Sequence, residues 1–145
     1  MWYEFCLAIS QMVAVQFDRT TVRVRPSNKT VLVIEDDPDS REVFSELLRA
    51  EGHRVVAVGS GAAGMAYLRS QETPSVILLD MLMPEMDGWQ FRRAQQADPD
   101  LARIPVVVVS ALKAVERSAI RFGAAAFLGK PVAPETLVGT IARVI

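Results

Sequence analysis

Apolar and polar positions alternate along most of the chain in the pattern of buried strands joined by amphipathic helices. Residues 31–34, 76–79 and 106–109 are continuously apolar, as expected of strands buried on both faces of a sheet. Arg54–Val58 begins with a charged residue, which predicts an edge strand, and residues 124–128 are a weaker fifth candidate. The pattern therefore predicts the α/β class with five strands in a parallel sheet.

Helical segments separate these strands. They are predicted at residues 38–51, 61–70, 88–96, 114–122 and 134–144. The first has the clearest signals, because Asp37 is a suitable N-cap, Pro38 suits the first helical position and Gly52 favours termination. Its predicted apolar face consists of Val43, Phe44, Leu47 and Leu48.

Residues 1–29 do not continue the alternation and are predicted to be an N-terminal extension, joined to the domain by a polar hinge at 26–29. Residues 20–25 alternate like a half-exposed strand, although a central first strand would already have both edges occupied. The apolar stretch at 5–17 is interrupted and too short to span a bilayer, so we expect no membrane helix. Glu4 stands where a signal peptide would carry positive charge, so secretion is only a minor alternative. Three explanations of the extension stay open: it is a dimer element, a docking segment or an artefact of an early start codon.

Length and composition indicate one globular domain. The chain has 145 residues, of which 50% are hydrophobic and 23% charged. Its formal net charge of -1 provides no basic field, so we expect no direct binding to nucleic acid. Its single cysteine, Cys6, cannot form an internal disulfide, which suits the cytoplasm.

Chemically active side chains follow four of the apolar runs. These side chains are Glu35, Asp36 and Asp37; Asp80; Ser110; and Lys130. The carboxyl ends of parallel strands meet at one edge of a sheet, where open α/β sheets bind ligands, so we expect the four groups to converge. Their oxygen atoms are the ligands that Mg²⁺ prefers. A carboxylate nucleophile at Asp80, with a lysine and a hydroxyl to contact phosphoryl oxygens, fits phosphoryl transfer through an acyl phosphate.

Four segments carry a family resemblance: VLVIEDD at 31–37, LLDMLMPEMDG at 78–88, VSA at 109–111 and FLGKP at 127–131. Together they closely resemble the receiver domain of two-component response regulators, in the stand-alone, chemotaxis-regulator-like form. The resemblance covers residues 30–145. It implies a flavodoxin-like, doubly wound parallel sheet with the strand order 2-1-3-4-5 and five helices.

The resemblance also implies a role for each site residue. Glu35, Asp36, Asp80 and the backbone carbonyl of Leu82 would bind Mg²⁺, and Asp80 would carry the phosphoryl group. The remaining implied positions are the switch hydroxyl Ser110, the phosphate-contacting Lys130, and the aromatic switch Phe127, where Tyr is more common. A cis peptide bond is implied before Pro131, directing Lys130 into the site.

The implied function is signal transduction in a phosphorelay. A histidine kinase or a histidine phosphotransfer protein would donate to Asp80, and the domain would catalyse only its own phosphorylation and dephosphorylation. Movement of Ser110 and Phe127 would then alter the surface of the fourth helix, fifth strand and fifth helix. Because the chain ends with the fifth helix, output is expected through an unknown downstream protein. Apolar Leu82 and Leu112, two residues beyond Asp80 and Ser110, predict slow self-dephosphorylation.

Two alternatives stay open at this point. The pair Asp37-x-Asp39 superficially matches the Asp-x-Asp of haloacid-dehalogenase phosphatases, although Pro38 would place Asp39 in the first helical turn. The other alternative is a binding module that has the receiver fold but does not depend on phosphorylation.

Overall fold

The computed structural model describes residues 28–70 and 72–145. The predictions for Cys6, for the apolar stretch at 5–17 and for the strand-like pattern at 20–25 lie outside these residues. None of the helices in the described part of the chain combines the length and the hydrophobicity that a membrane span requires.

Strands and helices alternate through both described ranges. In chain order they are β1 Thr30–Ile34, α1 Pro38–Ala50, β2 Arg54–Val58, α2 Gly61–Ser70, β3 Val76–Asp80, α3 Gly88–Ala97, β4 Val106–Ser110, α4 Val115–Arg121, β5 Ala126–Gly129 and α5 Pro134–Val144. The predicted helix bounds are correct to within one residue. The fifth strand begins two residues later than predicted, at Ala126.

The strands form one parallel sheet in the order β2-β1-β3-β4-β5, which confirms the expected topology. All residues of β1, β3 and β4 are buried, whereas β2 is partly exposed because it lies at the edge. At the carboxyl end of the sheet, Asp80 pairs with Val109 and Ser110 pairs with Gly129. This register brings the chemically active strand ends to one edge.

Helices cover both faces of the sheet, as in a doubly wound fold. On one face, buried side chains of β1, β3 and β4 pack with residues of α2, α3 and α4, including Met65, Phe91 and Ala119. On the other face the partners come from α1 and α5, including Leu48 and Leu137. The two apolar clusters hold the strand ends in fixed relative positions.

The apolar face predicted for α1 is wrong at one position. Phe44 and Leu48 are buried, but Val43 is 55% exposed. Each helical residue advances about 100° around the axis, and the inward face is centred on Phe44, Ser45 and Leu48, which turns Val43 toward solvent. The ends of α1 follow their local signals: the Asp37 side chain accepts from the Ser40 backbone N–H at 2.9 Å, and Gly52 has a φ of 90° beyond the last turn.

Candidate functional site

The site lies at the carboxyl edge of the sheet, where four strands end. Glu35 follows β1 directly, Asp80 and Ser110 are the last residues of β3 and β4, and Lys130 follows β5. Glu35, Asp80 and Ser110 are buried, with exposed fractions of 1%, 4% and 0%. Parallel strands in register thus bring together side chains that are up to 95 residues apart in sequence.

Three carboxylates form an acidic cluster in this site. Glu35, Asp36 and Asp80 each place one oxygen within 4.8 Å of the others. Among the described residues, this cluster consists of oxygen donors alone, without histidine or cysteine. The donor set therefore fits a hard divalent cation such as Mg²⁺.

Lys130 lies beside the acidic cluster. Its Nζ donates to both carboxylate oxygens of Glu35, at 3.0 and 3.1 Å, and lies 3.6 Å from Asp80 Oδ2. Its backbone N–H donates to the Ser110 carbonyl at 2.9 Å, and the bond between Lys130 and Pro131 is cis, as the family resemblance implied. One ammonium group is therefore shared by two buried carboxylates.

Burial sets the protonation of these groups. It raises the pKa of Glu35 to about 7, against an ordinary value of 4.5, and the bond from Lys130 offsets only part of this effect. Burial also raises the pKa of Asp80, while the Leu82 backbone N–H and the charge of Lys130 act in the opposite direction. Burial alone would lower the pKa of Lys130, but its bond to Glu35 and the charges of both carboxylates raise it instead. The cluster has more negative charge than one lysine offsets, which favours a bound cation or a proton.

Backbone N–H groups orient the side-chain oxygens of Asp80 and Ser110, the last residues of β3 and β4. The Leu82 N–H donates to Asp80 Oδ1, and the Leu112 N–H donates to Ser110 Oγ, both at 3.1 Å. The side chains of Leu82 and Leu112 are 49% and 51% exposed beside the site. Asp80 thus has one oxygen bonded to the loop that follows β3 and the other directed toward Lys130.

Other residues singled out in the sequence lie apart from the acidic cluster. Asp37 is exposed and its carboxylate caps α1, while Asp39 is exposed in the first helical turn. Neither belongs to the acidic cluster of Glu35, Asp36 and Asp80, which counts against the phosphatase alternative. Phe127 is half-buried on β5 and packs against the core cluster that contains Ala119 of α4. Asp87, within the motif at 78–88, caps α3 in a reciprocal capping box with Gln90.

One residue near the site was missed in the sequence. Arg41, in the first turns of α1, donates from Nη1 to the backbone carbonyls of Glu35 and Asp36 at 2.9 and 3.4 Å. The available signal was a cation four residues beyond the N-cap Asp37, one helical turn into α1. That spacing is too common to single out a site residue.

Comparisons with known proteins agree with this geometry. The family model for the response regulator receiver domain matches residues 31–142. The protein PilH of Pseudomonas aeruginosa is 36% identical over 118 residues, covering 79% of this chain and 96% of PilH. Among solved structures, the chemotaxis protein CheY4 of Vibrio cholerae is similar with a TM-score of 0.75 and 26% identity, covering 82% of this chain and all of that one.

A further solved structure is relevant to the acidic cluster. The receiver domain of the sensor histidine kinase PA1611 from Pseudomonas aeruginosa has a TM-score of 0.73 and 25% identity, covering 81% of this chain and 97% of that one. In that structure a magnesium ion is coordinated in the active-site cleft.

Proposed function

The chain belongs to the response regulator receiver domain family, whose members are phosphoacceptors of two-component signalling, and on this premise we propose that Asp80 is its phosphorylation site. We further propose that the receiver domain spans residues 30–145, with residues 1–29 as an extension. The donor is the phosphohistidine of a histidine kinase or a histidine phosphotransfer protein in the cytoplasm. The recipient of the signal is a downstream protein that binds the switched surface.

One observation carries the proposal: Asp80 shares a buried site with an acidic pair and a lysine. Its carboxylate belongs to the cluster with Glu35 and Asp36, and its Oδ2 lies 3.6 Å from Lys130 Nζ. The incoming phosphoryl group brings further negative charge, which Lys130 and a cation held by the acidic pair would offset. Exposed acids such as Asp37 and Asp39 lack this environment.

The acidic cluster fits Mg²⁺ as the resident cation. Glu35, Asp36 and Asp80 would hold it through carboxylate oxygens, and the backbone carbonyl of Leu82 would be a fourth protein ligand. When bound, the ion supplies electrostatic stabilisation of carboxylate and phosphoryl oxygens. The magnesium in the similar PA1611 receiver supports this assignment.

Each site residue has a separate role in the phosphoryl transfer. An Asp80 carboxylate oxygen attacks the phosphorus, a P–O bond forms, the P–N bond to the donor imidazole breaks, and the imidazole retains the electron pair and takes up a proton. Lys130 contacts a phosphoryl oxygen, as its position beside Asp80 allows. Ser110 contacts another after its hydroxyl leaves the Leu112 N–H, and Phe127 moves with it to alter the surface of α4, β5 and α5. The chain therefore catalyses its own phosphorylation and dephosphorylation and acts on no separate substrate.

The test is incubation of the full chain with acetyl phosphate and Mg²⁺, followed by intact-mass spectrometry. We expect the addition of one phosphoryl group in the wild type and in Asp37→Asn, and none in Asp80→Asn. Asp37→Asn is the matched control because it removes an acid that lies outside the cluster. An adduct that vanished in Asp37→Asn but persisted in Asp80→Asn would revive the phosphatase alternative. No adduct in the wild type would favour the phosphorylation-independent binding module.

A further inference from the structure

Arg41 holds the backbone of the two acids that follow β1. Its Nη1 donates to the Glu35 carbonyl at 2.9 Å and to the Asp36 carbonyl at 3.4 Å. These are consecutive members of the acidic cluster. A single guanidinium nitrogen therefore bonds the backbone of both residues from the side of α1.

The Arg41 backbone is held within α1, and its guanidinium faces the turn after β2. Its backbone N–H donates to the Asp37 carbonyl at 2.9 Å, and its carbonyl accepts from Ser45 Oγ at 2.7 Å. On the other side lies Gly59, where an added Cβ would be 3.0 Å from Arg41 Nη1. The guanidinium therefore lies between the loop after β1 and the turn after β2.

We propose that Arg41 is a positioning residue for the cation site: it fixes the Glu35 and Asp36 backbone so that their carboxylates face Asp80. This inference rests on the proposed function, because it assumes that the acidic cluster binds Mg²⁺. Three carboxylates within 4.8 Å repel one another when no cation is bound, and a short loop can relieve that repulsion by moving outward. The bonds from Arg41 oppose this movement and keep the ligands preorganised.

The sign of the effect separates positioning from simple electrostatics. A positive charge near a cation site repels the cation, so removal of Arg41 would strengthen Mg²⁺ binding if charge alone mattered. If Arg41 positions the ligands, its removal weakens Mg²⁺ binding instead. The two roles thus predict opposite changes in the dissociation constant.

The experiment is calorimetric titration of Mg²⁺ into the full chain at a temperature where all variants are folded. We expect Arg41→Gln to weaken binding by about 10-fold, as loss of a group that orients metal ligands does. Arg41→Lys should fall between that variant and the wild type, because an ammonium can still reach one carbonyl. Ser45→Ala is the matched control: it removes the bond to the Arg41 carbonyl within α1, and its Mg²⁺ affinity should stay within about 2-fold of the wild type even if its metal-free unfolding midpoint falls.

Gly59→Ala perturbs the Arg41 guanidinium from the side of the turn after β2. The new Cβ presses on the guanidinium, so it should weaken Mg²⁺ binding in the wild-type background and have no effect in Arg41→Gln. Unchanged or tighter binding in Arg41→Gln would overturn the inference alone. A wild-type chain that bound no Mg²⁺ at all would overturn the proposed function and the inference with it.

Discussion

Lys130 is paired more closely with Glu35 than with Asp80. Its Nζ bonds both oxygens of Glu35, at 3.0 and 3.1 Å, whereas Asp80 Oδ2 is 3.6 Å away. Glu35 is also the more deeply buried of the two acids. The pairing therefore offsets the charge that costs most to desolvate and leaves Asp80 less tightly bound to the ammonium.

The metal-free chain should lose stability as the pH rises from about 4.5 to about 7. The folded-state pKa of Glu35 is about 7 against an ordinary 4.5, so the folded chain binds more protons than the unfolded chain throughout that window. The raised pKa of Asp80 acts in the same direction. Urea unfolding in the presence of a chelator should show a decrease of about 3 kcal/mol from Glu35, to which Asp80 adds.

Two controls accompany this pH series. Saturating Mg²⁺ should flatten the dependence, because a bound cation removes the preference for protonated carboxylates. Glu35→Gln should weaken the dependence without metal, because only the smaller contribution of Asp80 then remains. Stability that increased over the same window in the chelated wild type would contradict the prediction.

Leu82→Asn should shorten the lifetime of the phosphorylated chain several-fold. Leu82 and Leu112 stand two residues beyond Asp80 and Ser110, and their exposed apolar side chains cannot hydrogen-bond a water molecule in line with the acyl phosphate. An amide at position 82 can. The measurement is loss of the phosphoryl adduct after removal of the donor, with Leu82→Met as the apolar control. A wild-type lifetime no longer than that of Leu82→Asn would show that the apolar side chain does not protect the phosphate.

In Ser110→Ala, Asp80 should still be phosphorylated, but phosphorylation should no longer change the conformation of α4 and β5. The hydroxyl is buried and bonded to the Leu112 N–H, so its departure toward a phosphate releases the loop that leads to α4. Hydrogen exchange of α4 and β5 amides, compared with and without beryllofluoride and Mg²⁺, should change in the wild type and in Ser110→Thr and change little in Ser110→Ala. If Ser110→Ala responded as strongly as the wild type, the hydroxyl would not be the link.

Arg92→Met should destabilise the chain by about 2 kcal/mol and accelerate exchange in α4. Arg92 is 8% exposed, and its guanidinium donates to the Phe122 and Gly123 carbonyls at the end of α4 and to Gln95 Oε1. Methionine fills similar space but leaves those carbonyls without the cationic donor. Arg93→Ala, at an exposed position on the same helix, should change stability by less than about 0.5 kcal/mol. Equal effects of the two substitutions would show that the contacts of Arg92 add no stability.

The sequence by itself determined the elements and the chemistry of the strand ends. Asp37 and Gly52 act on neighbouring turns, so the ends of α1 could be predicted from adjacent residues. Convergence of Asp80, Ser110 and the other strand-end groups followed from a parallel sheet, since all strands point the same way. The strand order came from family resemblance, because alternation alone permits several orders.

Only the tertiary structure decided which side chains contact one another. The pairing of Lys130 with Glu35 joins positions 95 apart, and the contact of Arg92 with Phe122 joins positions 30 apart, so neither has a local signal. Arg41 is close in sequence to the acids it holds, but its contact depends on the side-chain conformation and on the space left by Gly59. The exposure of Val43 likewise depends on how α1 is rotated against the sheet. Residue types and spacing define which groups reach the edge of the sheet, whereas rotamers and packing between distant elements define the bonds they form there.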